Sequence, residues 1–534
     1  MTPSLLDAIS AWKAAVGDEY VDLDTETLSR VATATFATSN QSPAVIHPSN
    51  REEVQTCVQI ANRYRIPIYP VSTGKNWGNG SSAPTANNCV ILHLGRLNKI
   101  TELDQKQACV TIEPGVTQGQ LSHFLRESKS GLWVDVTGAS AETSLIGNIM
   151  ERGVGYSPYS NRVSKICRLE VVLPDGRFIV TGFGKYGNAH ADRVYPWGLG
   201  PSLDGLFTQS NLGIVTRLTL WLMPEPERME CFYFKAHGED KLVDIIDALQ
   251  PLKLRGILQS AVHIGNNYKV VNTYYQYPWK LTGGKTPMSE SVLKDLARSI
   301  GCDDWSGSGS LYGTKNQVKE AKRILRRALT KKVTKLSFMT DSSLAVARRF
   351  PGILGKLLGV DLKSVFPIIE SIYGMQKGIP SDVTMSTPYW RKKQAPPEIR
   401  DPDRDHCGLI WYSPVAPLDG SHATAMYQIS KQILLTYAFE PLIAFALMSE
   451  RALCGVIAIV YDRDVPGEDE RAMACHRELV LKLSAAGYYP YRAGIQNMPN
   501  LTPEGDRDYV KLISHQLKQV FDPDNILSPG RYEF

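Results

Sequence analysis

An apolar, β-like run at residues 66–71 ends in PVSTGKNWGNGSSAP, residues 70–84, and no other stretch constrains the fold of this chain as much. Gly74, Gly78 and Gly80 permit backbone angles and a close approach that a side chain would forbid, and Ser72, Thr73, Ser81 and Ser82 add neutral donors. Successive amides of such a loop can converge on one anion. The loop therefore reads either as a pyrophosphate cradle or as an ordinary Gly/Ser turn, and its surroundings favour the first. A strand at residues 44–47 precedes a helix, which the Ser49/Glu52 spacing marks as a capping box and in which Val54, Val58 and Ala61 form the buried stripe. The second strand then delivers the chain into the loop at its C-terminal end, where open α/β sheets bind ligands. The loop itself lacks GxGxxG and no GKS or GKT follows it, so neither a dinucleotide-fingerprint nor a Walker reading is supported there.

Further along, strands are expected at residues 89–94 and 108–113, then a helix capped by Thr117 with Gln120. Residues 137–159, TGASAETSLIGNIMERGVGYSPY, alternate small residues with glycines and are too polar for a simple core helix; their backbone can pack against a flat ligand. Pro174, Asp175 and Gly176 between two apolar runs predict a hairpin. Pro224 and Pro226 close an apolar strand and read as a domain boundary. Beyond them the pattern is antiparallel strands alternating with helices near 240–250, 315–331, 420–437 and 467–486, with a last helix at residues 506–520. The basic run at 319–335 reads as a solvated helix face over Ile324, Leu325 and Leu329, or as a docking face for an acidic redox partner.

Balanced charge, 59 basic against 54 acidic residues, argues against nucleic acid and membrane surfaces as partners and leaves small-molecule chemistry. Nine cysteines without a CxxC pair indicate neither a zinc site nor a disulfide framework. With no basic, apolar leader at the N-terminus and no long apolar run, a soluble cytoplasmic protein is expected.

The cradle loop, GNIMERGVGYSPY, GLFTQSNLGIVTRLTLWLMP, a late Tyr-Arg step and the tail NILSPGR occur in one fixed order from about residue 40 to 534. Together they resemble the flavoprotein family of vanillyl alcohol oxidase and para-cresol methylhydroxylase. The resemblance implies an α+β chain: a PCMH-type FAD-binding domain from residues 1–226, an inserted antiparallel α+β cap at 227–487, and a return to the first domain at 488–534. It further implies FAD, with its pyrophosphate on Pro70, Val71, Ser72, Thr73, Gly74, Lys75, Asn76 and Gly78. Gly147, Asn148, Gly153, Val154 and Tyr156 would line the dinucleotide, and Gly213, Ile214 and Val215 would run along it.

In that family a para-substituted phenol is held as phenolate, and its benzylic carbon gives a hydride to the flavin, leaving a quinone methide. By resemblance, Tyr491 donates to the substrate oxygen, Arg492 sets a positive charge beside substrate and flavin, and Arg531 is a second arginine at the same end. Four positions depart from the family pattern. Asn79 stands for a second phenolate-binding tyrosine, Phe445 for a glutamate, Ala458 for a carboxylate or related polar group, and Leu409 for the histidine that tethers the flavin in the oxidase branch. Trp411 is placed in the same substrate pocket. Tyr389 resembles the tyrosine used for a covalent flavin link in the methylhydroxylase branch, and His406 is a further candidate for the link. The expected partners are a small aromatic substrate, a second copy of the chain and a possible redox protein. The same fold acting on a hydroxy acid, a sugar or a specialised metabolite, and a non-catalytic flavin subunit, stay open as alternatives.

Overall fold

The computed structural model describes residues 2–352, 362–498 and 509–533. Three larger sheets organise the described residues, and a two-stranded one pairs Leu132–Trp133 with Met223–Pro224. The first runs Val21–Asp22, Val45–Ile46, Val90–His93, Ile68–Val71, with the last three parallel. The helix Arg51–Tyr64 between its strands buries Val54, Val58 and Ala61 as the sequence predicts. Its N-cap is Asn50 rather than Ser49: Asn50 Oδ1 accepts from the Glu53 amide at 2.9 Å, and Glu53 reaches back to the Ser49 amide at 2.7 Å, a box shifted by one residue. The chain's end returns to this sheet. Ile68 N donates to Ile526 O and Ser528 N donates to Ile68 O, each at 2.8 Å, so the tail lies beside the strand that feeds the glycine loop.

The second sheet is antiparallel, in the order Ile100–Asp104, Cys109–Ile112, Ile214–Trp221, Ile166–Val172, Phe178–Val180. Its last pair is the expected hairpin, turned by Gly176 at φ +83°. The helix Gln118–Glu127 carries the full Thr117–Gln120 capping box. The change of sheet falls between Met223–Pro224 and Arg228–Ala236.

The third sheet has eight antiparallel strands, from Lys335–Met339 at one edge to Cys407–Tyr412 at the other, with Val415–Pro417 on Ala452–Asp462. Helices Lys241–Leu254, Lys315–Leu329, Gly420–Thr436 and Glu468–Ala485 cover one face, and their apolar stripes form a core with Phe232, Ile264, Phe445 and Ile457. Because strand side chains alternate, the opposite face presents His263, Gly265, Ala444, Ala446, Cys454 and Val456 to a cavity. The last helix is Tyr509–Phe521; residues 506–508 of the expected helix lie outside the described residues. All nine cysteines are unpaired, and among the described residues no helix is long and apolar enough to cross a membrane.

Candidate active site

A cavity of about 790 Å³ lies between the first two sheets and the uncovered face of the third. One end of it is the glycine loop, from Pro70 to Asn76 with Asn79 and Gly80. Among the described residues, the amides of Thr73, Gly74, Lys75 and Asn76 donate to no protein acceptor, so four successive N–H groups remain for a ligand. Gly74 sits at φ +70°, and a Cβ there would come within 2.3 Å of Ser82 Oγ. Across the loop, Ser144 caps the short helix Leu145–Met150 and its amide donates to Thr73 Oγ1 at 3.1 Å. A Cβ on Gly147 would meet Ser72 Oγ at 2.5 Å, so loop and helix touch through backbone.

The wall formed by residues 153–157 is wrapped around a buried carboxylate that sequence reasoning missed. Asp135 accepts from Tyr156 N at 3.1 Å, Ser157 N at 2.8 Å, Ser157 Oγ at 2.7 Å and Arg162 Nε at 2.8 Å. Arg162 also donates to Asn148 Oδ1 at 2.8 Å, which fixes that side chain at the cavity wall. Replacing Arg162 by Met strands the Asp135 charge, and we expect a loss of ~3 kcal/mol. The check is a thermal melt: a Tm lowered by several degrees, with Asp135→Asn in the same background recovering part of it.

At the other end stand Tyr491 and Arg492. Tyr491 N donates to Ser413 O at 3.2 Å, and burial raises its phenol above the ordinary tyrosine range against the opposing pull of Arg492. It is therefore a protonated donor at neutral pH. Among the described residues its hydroxyl has no protein partner. The Arg492 guanidinium lies 5.5 Å from the Tyr491 ring; its Nε is buried without an acceptor, and no carboxylate pairs with it among the described residues. Arg531 differs. It is paired with Glu151, which also accepts from Tyr532 Oη at 2.5 Å, and it donates to Tyr69 Oη at 2.6 Å. Of the two arginines, Arg492 holds the uncompensated charge.

Most of the other expected residues also line the cavity: Val154, Tyr156, Gly213, Ile214, Val215, Asn79, Leu409 and Trp411. Five do not. Gly78 lies beneath the Trp411 indole and Gly153 backs onto the Asn148 carboxamide, so both support the wall from behind. Phe445 points to the helix side of its strand, into the core 6.2 Å from the Trp305 ring. Ala458 is sealed among Trp390, Leu409 and Val460. Tyr389 is 2% exposed and donates to Asp405 Oδ2 at 2.5 Å, away from the cavity. His406 is an exposed loop residue near Asp464 at 3.1 Å. With the Tyr389 hydroxyl bonded to Asp405, acid precipitation should release the flavin into the supernatant; colour kept in the pellet would contradict this.

A model of an FAD binding domain matches residues 42–182. The chain is 42% identical over 534 residues, covering 100% of itself and 98% of the relative, to 1'-carboxy-chondrochloren decarboxylase of Chondromyces crocatus. It is 29% identical over 98% of its length to the flavoprotein subunit of 4-cresol dehydrogenase [hydroxylating] of Pseudomonas putida, of which it covers 94%. The solved structure of 4-ethylphenol oxidase from Gulosibacter chungangensis, in its isoeugenol complex, superposes with a TM-score of 0.90 at 29% identity, over 100% of this chain and 97% of that one. The chain belongs to the para-cresol methylhydroxylase family of flavoproteins. As a member it is an FAD-dependent oxidoreductase, and the four free amides with the close Ser72–Gly147 contact fit the diphosphate of that cofactor.

Two cavity groups carry no family signal in the sequence. His263 lies against Tyr156, the rings tilted by 38° with centroids 4.6 Å apart; burial lowers its pKa to about 4, and its Nδ1 is buried without a partner among the described residues. It is thus a neutral imidazole facing the site. Lys269 faces the same space from the helix Asn267–Tyr274. In this para-cresol methylhydroxylase relative, Glu151 is the sole carboxylate side chain lining the cavity among the described residues, and it is bound to Arg531.

Proposed function

We propose that the enzyme oxidises a para-hydroxyaromatic substrate at the carbon attached to the ring. The observation that carries this reading is the Tyr491 hydroxyl beside the uncompensated Arg492 charge, a donor and a cation held out of bulk water where an oxyanion gains most from them. Bound flavin supplies the two-electron acceptor for the hydride that leaves the benzylic carbon. Tyr491 and Arg492 stabilise the phenolate whose electrons drive that departure, and they hold its oxygen as the ring becomes a quinone methide. The Ala444–Ala446 and Cys454–Val456 surface keeps the substrate side chain dry.

The fate of the quinone methide depends on the cavity's bases. Hydration calls for a group that takes a proton from water, and Glu151 is committed to Arg531, which leaves the neutral His263. A second outcome is favoured by that lack of a free carboxylate and by the similarity to a decarboxylase: a carboxylate on the next carbon leaves as CO2, and the freed bond pair forms the side-chain double bond and restores the phenolate. No water, base or second oxidant enters that step. The unpaired cysteines support a reducing, cytoplasmic setting.

The oxyanion reading is tested with 4-hydroxyacetophenone added to the enzyme about two pH units below the ligand's own pKa. Its absorption should shift to that of the phenolate on binding, and Arg492→Met should abolish the shift. A bound ligand that stays neutral in the wild type would overturn the reading.

A further inference from the structure

A cation at the far side of the cavity has no part in the chemistry above. Lys269 Nζ lies 5.5 Å from the Trp411 ring, and its protein partners are neutral: Thr387 Oγ1 at 3.1 Å and Asn272 Oδ1 at 3.5 Å. The second of these oxygens is already engaged by the Thr387 hydroxyl at 2.8 Å. Among the described residues no carboxylate pairs with Lys269. Lys392 and Lys75 do have one, at 2.8 Å from Asp462 and 3.8 Å from Asp401, whereas the buried Lys253 outside the cavity donates to Ser260 O at 2.9 Å. Burial lowers the Lys269 ammonium to about 8, as expected of a charge to which the described residues supply no counter-ion.

We propose that Lys269 binds a carboxylate at the end of the substrate's side chain, so that the preferred substrate is a para-hydroxyaryl acid rather than a neutral alkylphenol. This rests on Tyr491 and Arg492 holding the phenol oxygen. The two sites are placed for one molecule. Trp411, against Lys269, and Ser413, which fixes Tyr491, are alternate residues of one extended segment and both face the cavity, about 7 Å apart along it. The role of Lys269 is recognition. A cation beside a carboxylate stabilises the bound ground state and gives no help to a bond that breaks with loss of that charge.

The test uses the flavin-loaded, full-length enzyme and two matched ligands that have oxygen in place of the benzylic carbon and so no hydride to give: (4-hydroxyphenoxy)acetate and 4-ethoxyphenol. Dissociation constants are read from the perturbation of the flavin absorbance. The wild type should bind the acid roughly ten- to a hundredfold more tightly than the ether, as loss of a charge-assisted hydrogen bond implies. In Lys269→Met that ratio should fall to about threefold or less, against the same tenfold-per-contact scale. A wild type that binds 4-ethoxyphenol as tightly as the acid, or a Lys269→Met enzyme that keeps the preference, would overturn the inference and leave the phenol site standing. Failure of both ligands to perturb the wild-type flavin would overturn the phenol site and the inference together. Should the variant lose its flavin, the wild-type ratio alone decides.

Discussion

Replacing Gly74 by Val should yield a folded protein that purifies nearly colourless. The residue occupies φ +70°, where a β-branched side chain is strained, and its Cβ would fall 2.3 Å from Ser82 Oγ. The loop has to move, and with it the amides of residues 73–76 that face the cavity. Losing two charge-assisted hydrogen bonds of ~1.5–3 kcal/mol each weakens flavin binding about a hundredfold or more. Far-ultraviolet circular dichroism should stay close to wild type, because the first sheet is completed by the tail at Ile526 and Ser528 and not by the loop. A yellow Gly74→Val protein with wild-type flavin affinity would mean that the diphosphate is held elsewhere.

The second large effect belongs to Arg492. Its charge has no carboxylate partner among the described residues, so its replacement by Met removes a cation without stranding an anion. Flavin content and Tm should change little. The rate of flavin reduction by substrate should fall about 10²- to 10³-fold, the usual cost of removing a donor from an oxyanion site. Lysine should restore only part of the rate, because a point charge does not reproduce the guanidinium fork. Tyr491→Phe should act in the same direction and more weakly, since it deletes one neutral donor. Arg531→Met provides the contrast. It leaves the buried Glu151 without its counter-ion, so its loss of rate should come with a loss of stability of ~3 kcal/mol. Equal behaviour of the two arginine variants would contradict the assignment of the free charge to Arg492.

The parts of the fold that could be read from the sequence are those whose signal lies within a few residues. The Thr117–Gln120 box, the Pro174–Gly176 hairpin and the glycine loop after a buried strand each combine a residue type with a fixed offset, and each stands where expected. The Asn50 cap was missed by one position because Ser49 and Asn50 suit a cap equally well and both bond Glu53. Side-chain direction was harder. Phe445 and Ala444 are neighbours on one strand and face opposite ways, so a register error of one residue exchanges core for cavity.

The residues that carry charge into the site were the least legible. Asp135 and Arg162 are 27 positions apart and outside the motifs; Glu151 and Arg531 each lie in one, but 380 positions separate them, so their pairing has no local signal. Lys269 sits in NYKVVNTYY, where it reads as an ordinary helix residue; only the third dimension shows Thr387 and Trp411 beside it and, among the described residues, no carboxylate paired with it. Tyr389 carries the right residue type for a covalent link, and the loop after it supplies Asp405 to occupy its hydroxyl.

The most direct test of the proposed reaction is anaerobic mixing of the oxidised enzyme with 3-(4-hydroxyphenyl)propanoate and, separately, with its meta isomer, 3-(3-hydroxyphenyl)propanoate. Only the para isomer can pass through a quinone methide with its oxygen held at Tyr491 and Arg492. The expected result is rapid bleaching of the flavin by the para isomer and none by the meta isomer under the same conditions. Equal bleaching by both, or no bleaching by the para isomer, would contradict it.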